Sequence, residues 1–318
     1  MSQPQPVRCH VGVTPPSQRD PAGTFEEHRP LLTGVAYRIL GSFADAEDVV
    51  QETWLRWSAV DHGDVRDPRA FLATTASRLA LNALRSQRQR RESYTGPWLP
   101  EPVPTADGPL AGSGGGDPAE PVLLAESVSQ AFLVVLESLS PLERVAFVLH
   151  DVFGFGHDEV AQAVGRSEQA VRQLTSRARR HVQERRPRSV TDPGEHARVT
   201  AAFMRAAVDG QVSALLEVLA PDVVVLTDAG GTQKAALRPI NGADKAARFL
   251  AAISHDVTDV RWALAPLNGR TGVVVHVGDH LLGTVDLDTA HGRVTAVRVQ
   301  LNAAKLTALR GSDVTPSG

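Results

Sequence analysis

Apolar residues recur at three- and four-residue spacing through Thr24–Leu40 and again through Ala44–Trp57, with Gly41 between the two runs as a helix stop. In the second run Val49, Val50, Trp54 and Trp57 alternate with Asp45, Asp48, Gln51 and Glu52, which predicts a helix with one apolar and one acidic face. A third helix is expected from Asp67-Pro68, the aspartate as N-cap and the proline in the first helical position. Its buried stripe is Phe71, Leu72, Thr75, Ala76, Leu79, Ala80 and Ala83, while Arg78, Asn82, Arg85, Arg88 and Arg91 lie mainly elsewhere. Helical pattern returns from 119 to 186.

Within that second block His157–Arg180 reads HDEVAQAVGRSEQAVRQLTSRARR. Ala161 lets two helices cross closely, and Gly165 four residues later permits the left-handed turn between them. Val160, Val164, Val171 and Leu174 are spaced to pack both helices onto a support helix, Pro141–Phe153. Ser167 caps a helix whose outer face carries Gln169, Arg172, Gln173, Ser176, Arg179 and Arg180. This is the pattern of a helix-turn-helix whose second helix enters a major groove.

From about residue 195 the periodicity mixes. Helices are expected over Glu195–Val208, Val212–Leu219 and Ala243–Ile253, and a strand over Ala220–Asp228. Strands over Val257–Leu267, Thr271–Val277, His280–Leu287 and Arg293–Leu301 follow, joined at Asn268-Gly269, Gly278-Asp279 and His291-Gly292. Helices followed by a curved antiparallel sheet imply an α+β cone. The chain is therefore expected to be multidomain: a leader at 1–23, an all-α block at 24–92 and a Pro/Gly-rich linker at 93–118. A second all-α block at 119–186, a joint at 187–194, the cone at 195–310 and a tail at 311–318 complete it.

With 42% hydrophobic and 22% charged residues, the composition is that of a globular chain, not a disordered one. No apolar run reaches the length of a membrane span and the first residues have no secretion signal, so the expectation is a cytoplasmic protein with no membrane partner. The single cysteine, Cys9, excludes an intramolecular disulfide and a cysteine-based metal cluster. The net charge of -3 hides segregation. Asp45–Glu52 is acidic, Arg78–Arg91 holds arginines without an acid, and Arg166–Arg186 is strongly basic, which suggests one protein partner and one polyanionic partner.

The run ADAEDVVQETWLRW, the following DPRAFLATTASRLALNALRSQRQRRESY, and the helix-turn-helix after LSPLERVAFVLHDVFGF together resemble regions 2 and 4 of a bacterial extracytoplasmic-function (ECF) sigma factor of RNA polymerase. The segment Tyr94-Thr95-Gly96-Pro97-Trp98-Leu99-Pro100-Glu101-Pro102 resembles the signature of its sigma-J-like subgroup, which carries a fused SnoaL-like (NTF2-like) C-terminal domain. The resemblance implies that Asp45, Asp48, Gln51, Glu52, Trp54 and Arg56 meet the β′ clamp of core RNA polymerase, the second block serving the β flap. Trp54 and Trp57 are equally readable as core aromatics. It further implies that Asn82, Arg85 and Arg88 contact the promoter -10 element, and that Ser167, Gln169, Arg172, Gln173, Ser176, Arg179 and Arg180 contact the -35 element. The family's glycine-rich motif corresponds loosely to Asp228–Lys234. Its late Asn-Pro-Asp-Lys-Leu motif appears as Asn302–Leu306, with Asn, Lys and Leu kept.

The resulting expectation is an alternative sigma factor, monomeric when free and regulated in cis by its cone. Trp98, Leu99, Pro100, Asp228, Gly230, Gly231, Asn302 and Lys305 are expected on the contact between cone and sigma blocks. No cofactor, metal or catalytic residue is expected: Asp222, Asp228, His255, His276, His280 and Asp286 are scattered, and no tyrosine follows Tyr94. The alternative is a helix-turn-helix regulator whose cone senses a small ligand.

Overall fold

The computed structural model describes residues 20–92, 94–105, 128–185, 192–255 and 257–310, without the side chains of residues 88–92. The first helix, α1 (Pro21–Leu40), starts before the expected Thr24 because Asp20 accepts the amides of Ala22 and Gly23, each at 3.1 Å, and Pro21 suits the first turn. The ordered block therefore takes in residues 21–23, which composition alone had placed in the leader. Ser42 caps α2 (Phe43–Ser58), and Asp67 accepts the Ala70 amide at 3.0 Å to open α3 (Pro68–Glu92). Between them Trp57 is buried, its indole N–H donating to Pro21 O at 2.8 Å, while Trp54 lies half-buried edge-on to Phe25.

The second block comprises α4 (Gln130–Glu137), α5 (Pro141–Phe147), α6 (His157–Val164) and α7 (Glu168–Arg185). Ser140 and Glu143 form a capping box on α5. The expected support helix Pro141–Phe153 is α-helical only to Phe147. It then widens into a π-helical turn, Val148–Val152, in which the Phe153 amide reaches back to Val148 O at 3.2 Å. Gly165 sits at φ +65, the left-handed turn that lets α7 cross α6.

The two helical blocks share one apolar core, running from Phe25, Tyr37 and Leu72 through Leu136 and Phe147 to Val160, Val171 and Val182. Polar contacts fasten the same boundary: the Arg78 guanidinium donates to Gln162 O at 2.7 Å and that of Arg69 to Phe153 O at 3.2 Å. Arg144, 2% exposed, donates to Ile39 O at 2.9 Å and pairs with Glu137 at 2.7 Å, so its buried charge is answered.

The C-terminal domain is an α+β cone. Asp192 caps α8 (Pro193–Val208), followed by α9 (Val212–Val218), β1 (Leu219–Asp228), the two-residue β2 (Ile240–Asn241) and α10 (Ala243–His255). Strands β3 (Val260–Leu267), β4 (Arg270–Val277), β5 (His280–Ala290) and β6 (Arg293–Gln300) complete a six-stranded sheet ordered β2-β1-β6-β5-β4-β3. Only β1 and β6 pair in parallel, Val225 opposite Val297, because the chain leaves β1 through α10 and returns at the far edge. Val223, Val225, Val273, Leu287 and Val297 pack beneath the helices, and a register shift at Val275/His276 bends the sheet. Ala265, Leu267 and Val274 on the other face are covered by Leu306 and Leu309. Among the described residues no helix is long and apolar enough to cross a membrane.

Candidate functional site

The outward face of α2 leaves Asp48, Gln51 and Arg56 exposed and Asp45 and Glu52 half-exposed. Glu52 and Arg56 pair at 3.0 Å, and Asp45 accepts the Gln87 side chain at 2.6 Å. Glu47 and Leu55, the latter 56% exposed, share this face. Helical spacing could have found both. On α3, Asn82 and Arg85 are exposed, whereas the Arg88 side chain lies outside the described residues.

On α7 the residues Gln169, Arg172, Gln173, Ser176, Arg179 and Arg180 are all exposed, with Ser167 accepting the Ala170 amide at 3.3 Å just ahead of the helix. Arg172 pairs only loosely with Glu168, at 3.4 Å, with both side chains more than half exposed. Arg179, two turns after Arg172 on the same side of the helix, also pairs with Asp151 while its side chain stays about half exposed.

The residues expected at the contact between cone and sigma blocks converge on Asp228, at the end of β1 and fully buried. Its carboxylate accepts the Leu99 amide at 2.8 Å, the Lys305 ammonium at 2.7 Å, the Gly230 amide at 3.2 Å and the Tyr94 hydroxyl. Lys305 donates to Leu99 O at 2.7 Å as well, and its ammonium lies 3.9 Å from the centre of the Trp98 ring. Asn302 donates to the Tyr94 hydroxyl at 2.9 Å. A Cβ on Gly230, at φ +58, would stand 2.6 Å from that same Asn302 amide nitrogen, so glycine is required there. Gly231 faces Thr95. The cone thus holds residues 94–99 through a buried carboxylate whose charge is matched by one ammonium and several N–H and O–H donors.

A second junction forms at the β3–β4 turn, where Asn268 stands at φ +49 and is 2% exposed. Its amide nitrogen donates to the Tyr37 hydroxyl at 2.8 Å and to Val128 O at 2.9 Å; its oxygen accepts the Val103 amide at 3.1 Å and the Gln130 side chain at 3.3 Å. One side chain of the cone therefore touches α1, the linker and the entrance to α4. Tyr37 in turn donates to Glu101 O at 2.6 Å, and Gln130 also donates to Pro100 O at 3.3 Å.

Glu101 completes the strap. Its carboxylate accepts the Phe43 amide at 2.7 Å at the start of α2, and the Thr307 hydroxyl of the cone at 3.1 Å. Burial pushes this carboxyl up, against the opposing pull of Phe43, Thr307, Ala44 and Ser42. The sequence reading missed Asn268, Gln130 and Thr307 as contact residues. An Asn-Gly pair announces a turn but not a partner more than a hundred residues away. Of the scattered titratable residues, Asp228 and Asp286 lie in ion pairs, the latter 2.6 Å from Arg298, which Asp288 also engages.

A family model described as Sigma-70 region 2 matches residues 24–90, and one described as Sigma-70, region 4 matches residues 129–182. The ECF RNA polymerase sigma factor SigJ of Mycobacterium tuberculosis is 46% identical over 227 residues, 71% of this chain and 70% of the relative. The probable ECF RNA polymerase sigma factor SigI of the same organism is 34% identical over 296 residues, covering 92% of this chain and 98% of the relative. The crystal structure of M. tuberculosis extracytoplasmic function sigma factor SigJ superimposes with a TM-score of 0.71 at 37% identity, covering 92% of this chain and 100% of that one.

Proposed function

The chain belongs to the ECF sigma factors of RNA polymerase, and from that membership we propose how its surfaces divide the work. As a member of the family it binds core RNA polymerase and promoter DNA and directs promoter-specific initiation of transcription. The acidic face of α2, with Asp45, Asp48, Gln51, Glu52, Trp54 and Arg56, meets the β′ clamp, the partner whose basic surface it complements. The α3 residues Asn82, Arg85 and Arg88 serve the -10 element. The exposed face of α7 reads the -35 element through Ser167, Gln169, Arg172, Gln173, Ser176, Arg179 and Arg180. The functional units are 24–92, 119–186 and 195–310, and the protein works in the cytoplasm as a monomer until it meets polymerase, with the second unit on the β flap.

The cone acts as a regulator in cis and not as an enzyme. The single observation that carries this reading is the buried Asp228 carboxylate, which binds Leu99 and Tyr94 of the linker through 2.8 Å and shorter contacts while Lys305 neutralises it. With Asn268 bridging Tyr37, Val103 and Val128, the cone holds both sigma blocks in the docked arrangement they share through one core. A short covalent tether keeps such a contact at an effective concentration on the order of millimolar, so it persists even if intrinsically weak. Reading two promoter elements then requires the blocks to part, and the cone sets how readily they do.

Reversing Asp48 and Glu52 to Lys tests the polymerase assignment. The doubly substituted chain should fold normally, fail to co-purify with core polymerase, and start no transcripts. Undiminished co-purification would remove α2 from that interface.

A further inference from the structure

The cone holds a half-open cavity of about 480 Å³ between the sheet and helices α8 and α10. That is the size of a small-molecule site. Its walls are aliphatic or aromatic: Phe203, Met204 and Ala207 from α8, Leu250 from α10, and valines from β4, β5 and β6 such as Val275 and Val299. The polar lining is sparse. Gln233 and Lys234 come from the loop after β1, Ser254 from the end of α10 and Thr284 from β5. Among the described residues that line the cavity Lys234 is the only charged one, and none is a carboxylate, histidine, cysteine or tyrosine. An apolar chamber with one ammonium and one carboxamide among its lining residues matches a molecule with an aliphatic body and a single anionic head. It supplies no acid–base or nucleophilic pair for turning such a molecule over.

We propose that this cavity binds an aliphatic monocarboxylate, its chain among the α8, α10 and sheet side chains and its carboxylate at Lys234 and Gln233. The position of the cavity gives the binding a route outward. Val297 and Val299 of β6 and Leu301 just past its end line the cavity, while the intervening Gln300 faces the other way, towards Leu99 O at 3.5 Å and Asp228 at 3.4 Å. Gln233 donates to Leu301 O at 3.4 Å, and the Leu301 amide donates to Asp228 O at 2.7 Å. One short stretch of backbone is thus wall to the cavity and floor to the Asp228 contact, so a ligand that shifts it is felt at the linker.

The binding itself does not rest on the cis-regulation reading. It is measured on the full chain without polymerase or DNA, so its failure leaves that reading standing. Decanoate below its micelle concentration, 1-decanol and decyltrimethylammonium are compared by equilibrium dialysis and by shift of the thermal midpoint. Decanoate should bind saturably at one site per chain, and bind roughly tenfold more tightly than decanol, as expected for one charge-assisted hydrogen bond. The cation should not bind. Lys234→Gln, at an exposed position, should bring decanoate down to the affinity of decanol and leave decanol unchanged. Ala207→Phe should abolish binding of both by filling the chamber. If that variant does not fold, Leu282→Trp at the half-buried rim serves the same purpose. Equal binding of the three probes, decanoate binding indifferent to Lys234→Gln, or unchanged binding in the folded cavity-filling variant would each overturn the proposal.

Discussion

The ammonium of Lys305, near the end of the cone, lies 2.7 Å from a carboxylate oxygen of Asp228, a residue with no exposed surface. Removing one partner of a buried pair strands the other charge, so Lys305→Met should destabilise the cone by about 3 kcal/mol in denaturant titrations. Asp228→Asn combined with Lys305→Met should cost clearly less than the sum of the two single changes, because no buried charge is then left alone. Strict additivity would show that the pair is not coupled.

Asn268 carries two roles that a pair of substitutions separates. Asn268→Gly keeps the left-handed turn but leaves Val103 N–H and Val128 C=O without their side-chain partner, at a cost of about 2 kcal/mol. The loss should appear as faster hydrogen exchange at the Val103 amide, with exchange inside β3 and β4 unchanged. Asn268→Ala should be worse, because it adds backbone strain at φ +49.

Glu101 gives the strap a defined pH response. Burial raises its folded-state pKa, so on acidification the folded chain takes up a proton there before the unfolded chain does. The stabilisation from this group is complete below the ordinary carboxylate range and is lost as pH rises through the raised value. Glu101→Gln, neutral and still an acceptor for Phe43 N–H, should melt at or above the parent at pH 7.5, with the difference closing towards pH 5. Glu101→Ala should lose about 1–3 kcal/mol at both pH values by leaving that amide unanswered.

Arg172 and Gln173 are exposed on the side of α7 away from the core, whereas Arg185 lies at its last turn beside His181. Arg172→Ala with Gln173→Ala should reduce discrimination among variants of the upstream element, by about 1–3 kcal/mol per base contact. Arg185→Ala should weaken binding to all sequences alike and lower its salt dependence. Identical behaviour of Arg172→Ala and Arg185→Ala across promoter variants would contradict the assigned reading face.

Local chemistry made the helical blocks legible in the sequence. Capping residues such as Asp67 and Ser167, the Gly165 turn and the apolar spacing of α2 and α7 each act within a few residues, where sequence carries the information. Leu99, Gly230, Asn302 and Lys305 of the Asp228 contact were named through family resemblance, whereas Tyr94 and Gln300 were not. The bonds among them span more than a hundred residues, which no local pattern encodes. For the same reason Glu101 read as part of a proline-rich linker, although its carboxylate meets the first amide of α2. The parallel pairing of β1 with β6 was likewise hidden, because it depends on where the sheet closes. The π turn after Phe147 left no trace in the hydrophobic spacing, since the helix is buried all round from Arg144 to Leu149.

The central claim is that the cone restrains the sigma blocks through the linker, and transcription by core polymerase with the full chain or a chain ending at residue 190 tests it most directly. Run-off assays on a panel of promoters differing in the spacing of their two elements should show altered output and an altered spacing preference on truncation, with base preferences retained. Separately added cone should restore the original pattern only at high concentration, on the order of the millimolar tether value. Equal transcription by the full and truncated chains at every promoter would contradict the account.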